Sequence, residues 1–93
     1  MVEELMPIFE TSSERERWIR DHATYYTLTW MSNRKHYTFY YSKLRKAQIN
    51  GRVAADFIAR KPVMIYAVYC PDDTTEVGPS TWIETIYPKR QKS

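Results

Sequence analysis

Two segments in the first half of the chain have the residue pattern of β-strands. Residues 24–31 contain only Thr, aromatic and aliphatic side chains, and residues 36–41 carry aromatic rings at every second position. The polar segment 32–35 between them has the composition of a turn. The two segments are therefore predicted to form an antiparallel hairpin.

Two further segments show helical spacing. Thr11 is predicted to cap a first helix over residues 12–23, with Glu14 reaching back to the helix start in a capping box. A second helix is predicted over residues 42–61, where apolar side chains form two stripes on almost opposite faces. The first stripe contains Leu44, Ala47, Gly51, Ala54, Ala55 and Ile58, and the second contains Ile49, Val53 and Phe57. Such a pattern indicates burial on two sides or a break, and we favour a break at Asn50-Gly51, where Gly could end the first piece.

Three more segments are candidate strands. Residues 63–70 form the most apolar stretch and are predicted to be a central strand buried on both faces. Residues 81–87 alternate as an edge strand would. Residues 5–9 are a weaker candidate, which Pro7 would confine to a sheet edge or a strand start.

The order of these elements predicts a small α+β fold. The first six match the ferredoxin-like βαββαβ arrangement, an antiparallel sheet of four to five strands with two helices on one face. The segment 81–87 would add a C-terminal edge strand. Residues 1–88 are predicted to form a single domain, and residues 89–93 a basic, disordered tail.

Charge and cysteine content restrict the partners and the cellular compartment that we expect for the protein. Fourteen Lys and Arg against eleven Asp and Glu give a net charge of +3, which permits contact with nucleic acid or an acidic protein surface without requiring it. Cys70 is the one cysteine, so no internal disulfide can form. No signal-peptide pattern and no membrane-length apolar run is present. We therefore expect a cytoplasmic protein.

The chain offers few groups for chemistry. His22, His36 and Cys70 stand alone in the sequence, and isolated residues of these types are usually structural. There is no Cys-x-x-Cys, no His-x-x-x-His and no glycine-rich phosphate loop. The sequence therefore predicts a non-enzymatic protein with no metal and no cofactor.

The aromatic content points to binding instead. The chain has eight Tyr, three Trp and three Phe, and the predicted hairpin carries rings on both faces although helices can cover only one. Some of these rings must therefore face outward. The candidate binding residues, with the basic residues beside them, are Tyr25, Tyr26, Trp30, Arg34, Lys35, Tyr37, Phe39, Tyr40 and Trp82.

The favoured hypothesis is a protein-docking module that inhibits or adapts a larger protein assembly. Tyr and Trp supply contact area at low entropic cost, and Arg supplies forked hydrogen bonds at the rim. In composition the chain resembles small phage-encoded proteins that disable a host enzyme. Its edge strand at residues 81–87 could also pair with a second copy of the chain.

The alternative hypothesis is a binder of single-stranded RNA or DNA. The start of the second hairpin strand resembles the third-strand motif of RNA-recognition domains, with Lys35 at the basic position and Tyr37 and Phe39 at the stacking positions. His36 and Thr38 stand where that motif has small residues. The resemblance implies that the two rings stack on unpaired bases. Strand register decides whether these rings lie in the core or on an exposed surface.

Overall fold

The computed structural model describes residues 7–70 and 78–89 as an α+β domain. Its elements are α1 (Ser12–His22), β1 (Tyr25–Ser32), β2 (Lys35–Tyr41), α2 (Leu44–Val53) continued by a π-helical turn (Ala54–Ile58), β3 (Val63–Val68) and β4 (Ser80–Ile86). The strands form one antiparallel sheet in the order β2-β1-β3-β4. Helix α1 packs against β3 and β4, and α2 packs against β1, β2 and β3, which confirms the predicted α+β class.

The first helix begins as its capping residues predict. The Thr11 hydroxyl accepts a hydrogen bond from the backbone N–H of Glu14 at 3.1 Å. The Glu14 carboxylate accepts in turn from the N–H of Glu10 at 3.3 Å, one residue earlier than a standard capping box requires. The fully buried Ile19 then anchors this helix in a small core with Ala67 and Tyr69.

The hairpin is confirmed, and its turn is tighter than predicted. Only Asn33 and Arg34 connect the strands, and both have positive φ angles, 52° and 67°, as a type I′ turn requires. The register pairs Trp30 with Tyr37 and Leu28 with Phe39, so Tyr37, Phe39 and Tyr41 of β2 lie on the face of the sheet that carries the helices, and Tyr40 lies on the other face.

The predicted break at Asn50-Gly51 is wrong, because the helix passes through both residues without interruption. Gly51 is buried where α2 crosses the sheet, and a Cβ atom there would lie 2.7 Å from Cδ1 of Ile86 and 3.3 Å from Cδ1 of Leu28. The glycine therefore allows close approach of helix and sheet rather than a change of chain direction.

The irregularity falls three residues later, in the π-helical turn. The N–H of Ala59 donates to the carbonyl of Ala54 at 2.7 Å, across five residues instead of four. This wider turn shifts the buried face by one position. Ala59 packs against the core, and Ile58, which the sequence pattern places in the first stripe with the buried Ala54 and Ala55, is 64% exposed.

Strand β3 is central, as predicted, but it is not buried on both faces. Val63, Ile65 and Ala67 are fully buried under the helices, whereas on the other face Met64 and Tyr66 are half-buried and Val68, at the strand end, is buried. The alternation arises because no element of the described chain covers that second face. Strand β4 lies at the sheet edge, as predicted.

The ferredoxin-like arrangement and the fifth strand are not confirmed. Pro7, Ile8 and Phe9 are in neither helix nor strand, and residues 5–6 lie outside the described residues. Strand β1 pairs directly with β3, in the place where a split β-α-β unit would put an N-terminal strand. Residues 90–93 also lie outside the described residues, so the disordered tail stays a prediction.

Candidate functional site

The structure distributes the nine candidate residues over two surfaces and the core. Trp30, Tyr37 and Phe39 border a groove on the helix-bearing face, and Arg34 and Lys35 stand at the hairpin end beside it. Tyr25, Tyr40 and Trp82 lie on the opposite, open face of the sheet. Tyr26 is half-buried and packs against both core clusters.

Three stacked aromatic rings form the floor of the groove. Trp30 is only 5% exposed, and its ring stacks on those of Tyr37 and Phe39 with both centroid separations at 5.5 Å. Trp30 is therefore a core residue that supports the other two rings. Tyr37 and Phe39 remain 37% and 44% exposed although they face the helix side.

The position of α2 explains this exposure. Small side chains line its buried face, and they are Ala47, Gly51, Ala54 and Ala55. They let the helix seat closely over Leu28 of β1 and Ile65 of β3. The rings of β2 therefore remain beside the helix instead of under it.

The groove lies between β2 and the C-terminal half of the second helix. Val53, Ile58 and Asn50 form its second wall, and its volume is about 370 Å³. That volume lies within the range of ligand-binding clefts. Ile49 and Phe57 continue the apolar surface onto the outward side of the helix, where both are largely exposed. Contiguous exposed apolar surface of this kind marks interaction sites.

Charge is concentrated in the part of the chain that builds the groove. Residues 23–61 contain eight Lys and Arg and a single acidic residue, Asp56, whereas the remainder contains six Lys and Arg and ten Asp and Glu. Seven of the eight cations make no ion pair within the described residues. They are all exposed and are Arg34, Lys35, Lys43, Arg45, Lys46, Arg60 and Lys61.

These cations gather near the two ends of β2. At the hairpin end, the Lys61 ammonium donates to the carbonyl of Met31 at 3.0 Å, which brings the end of the second helix beside the Asn33-Arg34 turn. At the other end, Lys43 is the N-cap residue of α2, and the first turn of that helix contains no acidic residue. The groove therefore runs between two basic regions.

Asp56 does not neutralise these regions. Its carboxylate accepts two hydrogen bonds from the Arg52 guanidinium, at 3.0 and 3.1 Å, and one from the N–H of Lys89 at 2.9 Å. The guanidinium bonds, followed by the Lys89 N–H, hold the pKa of Asp56 below its ordinary value. Arg52 also donates to the carbonyl of Tyr87, so the cluster fixes the segment after β4 to the helix.

The outer edge of β2 is unpaired within the described residues. A two-residue turn makes Ser32 and Lys35 a hydrogen-bonded pair, and alternate residues of β2 then bond to β1. The intervening residues, His36, Thr38 and Tyr40, direct their N–H and C=O groups away from the sheet. This edge is free for a further strand.

The hollow on the open face is lined by more hydroxyl-bearing side chains than the groove is. Its hollow, of about 410 Å³, is bordered by threonines and by the rings of Tyr25 and Tyr40, whose centroids lie 5.7 Å apart. His36 bonds to the Thr29 hydroxyl at 2.6 Å across this face. Among residues 7–70 and 78–89, no Lys or Arg borders the hollow.

The three isolated residues considered for chemistry have structural contacts. His22 bonds to the Trp18 carbonyl at 2.9 Å and stacks on its indole, and the N–H of Cys70 donates to Thr24. In residues 7–70 and 78–89, no group of three or more His, Cys, Asp or Glu side chains could hold a metal ion.

Comparisons with known protein families, with curated proteins and with solved structures find no match. No helix in the described part of the chain is long and apolar enough to cross a membrane.

The sequence pattern does not predict the second wall of the groove or the basic residues at the start of α2, whereas Arg34 and Lys35 at the hairpin end are among the predicted candidates. Val53 and Ile58 fall in different apolar stripes of the second helix, and the pattern does not show that they line one groove. A signal for the basic ends was present, because eight cations and one acid fall between residues 23 and 61. The whole-chain charge of +3 conceals that asymmetry.

Proposed function

We propose that this protein is a non-enzymatic docking module of the cytoplasm that binds a larger protein, as an inhibitor or adaptor, through the groove between β2 and the second helix. The observation that carries the proposal is that Phe39, Val53 and Ile58 remain exposed around one apolar groove of about 370 Å³. Burying such side chains fully contributes about 1.5–3 kcal/mol each, so a protein surface that covers them gains a substantial driving force.

Affinity capture with matched variants tests this function. Val53→Asp and Ile58→Asp place charge in the groove at positions that are exposed in the free protein, so the fold should be retained. Trp82→Ser is the control, because Trp82 is about half exposed on the open face. We expect both groove variants to lose the captured protein while the control retains it. Affinities measured with the purified pair should then fall by about tenfold or more for the groove variants alone.

An unchanged affinity in both groove variants, with circular dichroism showing a retained fold, would rule out docking through the groove. Capture after nuclease treatment excludes partners that are bridged by nucleic acid.

A second candidate function is binding of single-stranded nucleic acid on the open face. The exposed rings of Tyr40 and Trp82 favour it, because each base stacked on such a ring contributes about 1–3 kcal/mol. Tyr37 and Phe39 do not support it as the sequence resemblance implied, because they lie on the helix-bearing face. We rank this candidate second because no Lys or Arg among the described residues borders the open hollow, and phosphate contacts dominate such affinity.

Titration with mixed-sequence RNA and single-stranded DNA at low salt separates the two functions. Nucleic-acid binding should fall steeply with added salt and should be lost in Tyr40→Ser but kept in Ile58→Asp. If the chain binds neither probe at low salt, this second candidate is excluded.

A further inference from the structure

We propose that the segment bound at the groove is an extended strand of the partner protein, acidic at both ends and apolar between, that adds to the free edge of β2. The inference rests on the docking function proposed above and specifies the chemistry of the partner.

The backbone of β2 supplies the first reason. His36, Thr38 and Tyr40 present N–H and C=O groups at regular spacing along the outer edge, where no strand of the described chain pairs with them. A strand of seven residues spans about 24 Å, which is long enough to direct an added strand over the length of the groove. Main-chain hydrogen bonds of this kind give affinity, and pockets for alternate side chains give specificity.

The two edges of the sheet differ in how well they are protected against pairing with a further strand. Strand β4 has a bulge at Ile83 and the charge of Glu84 on its helix-bearing face, both of which discourage edge pairing. Strand β2 has a regular register throughout, contains no Pro, and has Lys35 at its first position as its one Lys, Arg, Asp or Glu. The less protected edge is therefore β2, and the C-terminal edge, which the sequence suggested for a homodimer, is the less suitable one.

The side-chain environment sets the pattern of the added strand. Every second side chain of that strand falls on the helix-bearing side, beside Tyr37 and Phe39 and across from Val53 and Ile58. These positions require apolar side chains. The intervening positions continue the polar open face beside Thr38 and Tyr40.

The positive charges at the two ends of β2 favour acidic residues at both ends of the added strand. Arg34 and Lys35 stand at one end, and Lys43, Arg45 and Lys46 follow the other. A second copy paired antiparallel at this edge would bring the hairpin end of one chain beside the start of α2 of the other, with like charges facing. An acidic strand meets an attractive potential at both ends, so it fits this edge better than a second copy does.

Selection from a displayed peptide library tests the inference. One library has peptides of about nine residues with Asp and Glu at both ends and apolar residues at alternate central positions, and a matched library has Lys and Arg ends. We expect the acidic library alone to yield binders, whose affinity falls by about tenfold or more when their ends are reversed to Lys and whose binding weakens with added salt.

Backbone pairing is tested by Thr38→Pro, with Thr38→Val as its matched control. The N–H of residue 38 points away from β1, so Pro at this edge position leaves the hairpin bonds in place but removes a donor to the added strand. We expect peptide binding to be lost in the Pro variant and retained in the Val variant. A second measurement uses the unaltered protein and N-methylated peptides. N-methylation of the alternate amides that point toward β2 should abolish binding, and N-methylation of the amides that point away from β2 should leave it unchanged.

Three results would overturn the inference. The first is that the Lys-ended library yields as many binders as the acidic library. The second is that N-methylation of neither set of alternate amides changes the affinity of the peptide. The third is that the protein forms a dimer that Thr38→Pro dissociates. If the acidic strands fail while Ile58→Asp still abolishes capture of a partner, the docking function stands and the strand inference is wrong. If Ile58→Asp also has no effect, both are wrong.

Discussion

Arg34 occupies a backbone conformation that favours glycine. With φ at 67°, it is the second residue of the type I′ turn, where Asn-Gly is the preferred pair. A left-handed conformation costs a residue with a Cβ about 1–2 kcal/mol. Strain of this kind is often kept at functional sites, and Arg34 is one of the cations at the hairpin end of the groove.

Arg34→Gly should therefore raise the free energy of unfolding by about 1 kcal/mol and, at the same time, weaken binding of an acidic partner. Denaturant unfolding and a binding titration measure the two effects. Asn33→Gly is the control, because Asn tolerates a φ of 52° and carries no charge. A loss of stability in Arg34→Gly would contradict the assigned turn.

Asp56 connects the helix to the segment after β4. Its pKa is lowered by the Arg52 and Lys89 hydrogen bonds, so the folded state holds the proton of this carboxyl less tightly than the unfolded state does. Its contribution to stability is therefore complete above the ordinary Asp value of about 3.9 and is lost as the pH falls through the lower folded value.

We expect Asp56→Asn to be less stable than the native chain near neutral pH and the difference to shrink as the pH falls below about 4. Urea unfolding across this range tests the expectation, and a carboxyl titration by NMR measures the pKa directly. A folded-state pKa at or above the ordinary value would show that the Arg52 and Lys89 bonds do not form.

At the scale of elements, the fit of α2 against the sheet depends on Gly51. Helix propensity alone disfavours glycine by about 1 kcal/mol relative to alanine, but the crossing leaves no room for a branched side chain. Cδ1 of Ile86 would lie 2.7 Å from an added Cβ, and Leu28 lies on the other side. The same close seating leaves Tyr37 and Phe39 uncovered, so Gly51, with the alanines on the same helix face, contributes to both the core and the groove.

Gly51→Val should lower the free energy of unfolding by about 1–3 kcal/mol because of overpacking. Asn50→Ala, on the exposed side of the same helix, should change it by less than about 0.5 kcal/mol. Denaturant midpoints of the two variants provide the comparison. Equal stability of Gly51→Val and the native chain would mean that the helix does not cross the sheet at this residue.

At the scale of the whole molecule, charge divides the chain into a basic segment, residues 23–61, that builds the groove and an acidic remainder. Eight Lys and Arg against one acid in residues 23–61 create a positive field that, under the proposed docking function, would steer an acidic partner toward the groove before contact. Steering of this kind raises association rates more than it slows dissociation.

We expect Lys43→Glu with Lys46→Glu to slow association with an acidic strand by about tenfold at low salt, with little change at high salt. Acidic residues at the start of α2 suit the helix dipole, so the fold should not suffer. Arg15→Glu with Arg17→Glu makes the same change in net charge on α1 and should have a much smaller effect. Equal effects in the two double variants would show that net charge, rather than its position, governs the rate.

The sequence itself contained the signals for most of the local structure. Thr11 and Glu14 predicted the start of α1, and the segments around Asn33-Arg34 predicted the hairpin, because capping and strand alternation depend on neighbouring residues. The excess of rings on the hairpin also predicted outward-facing aromatics, and Tyr37, Phe39 and Tyr40 are exposed.

The features that only the tertiary structure decided depend on contacts between residues that are distant in the sequence. Whether Gly51 breaks a helix or lets it approach a sheet depends on Ile86, thirty-five residues away. The π-helical turn that moves Ile58 from the core to the groove has no signature in the local pattern. The sequence by itself determined that this protein has surplus aromatic surface and local basic charge. The packing of α2 over β1 and β3 decided that the aromatic surface and the basic charge meet along one groove, because that packing alone fixes which side of β2 is left uncovered.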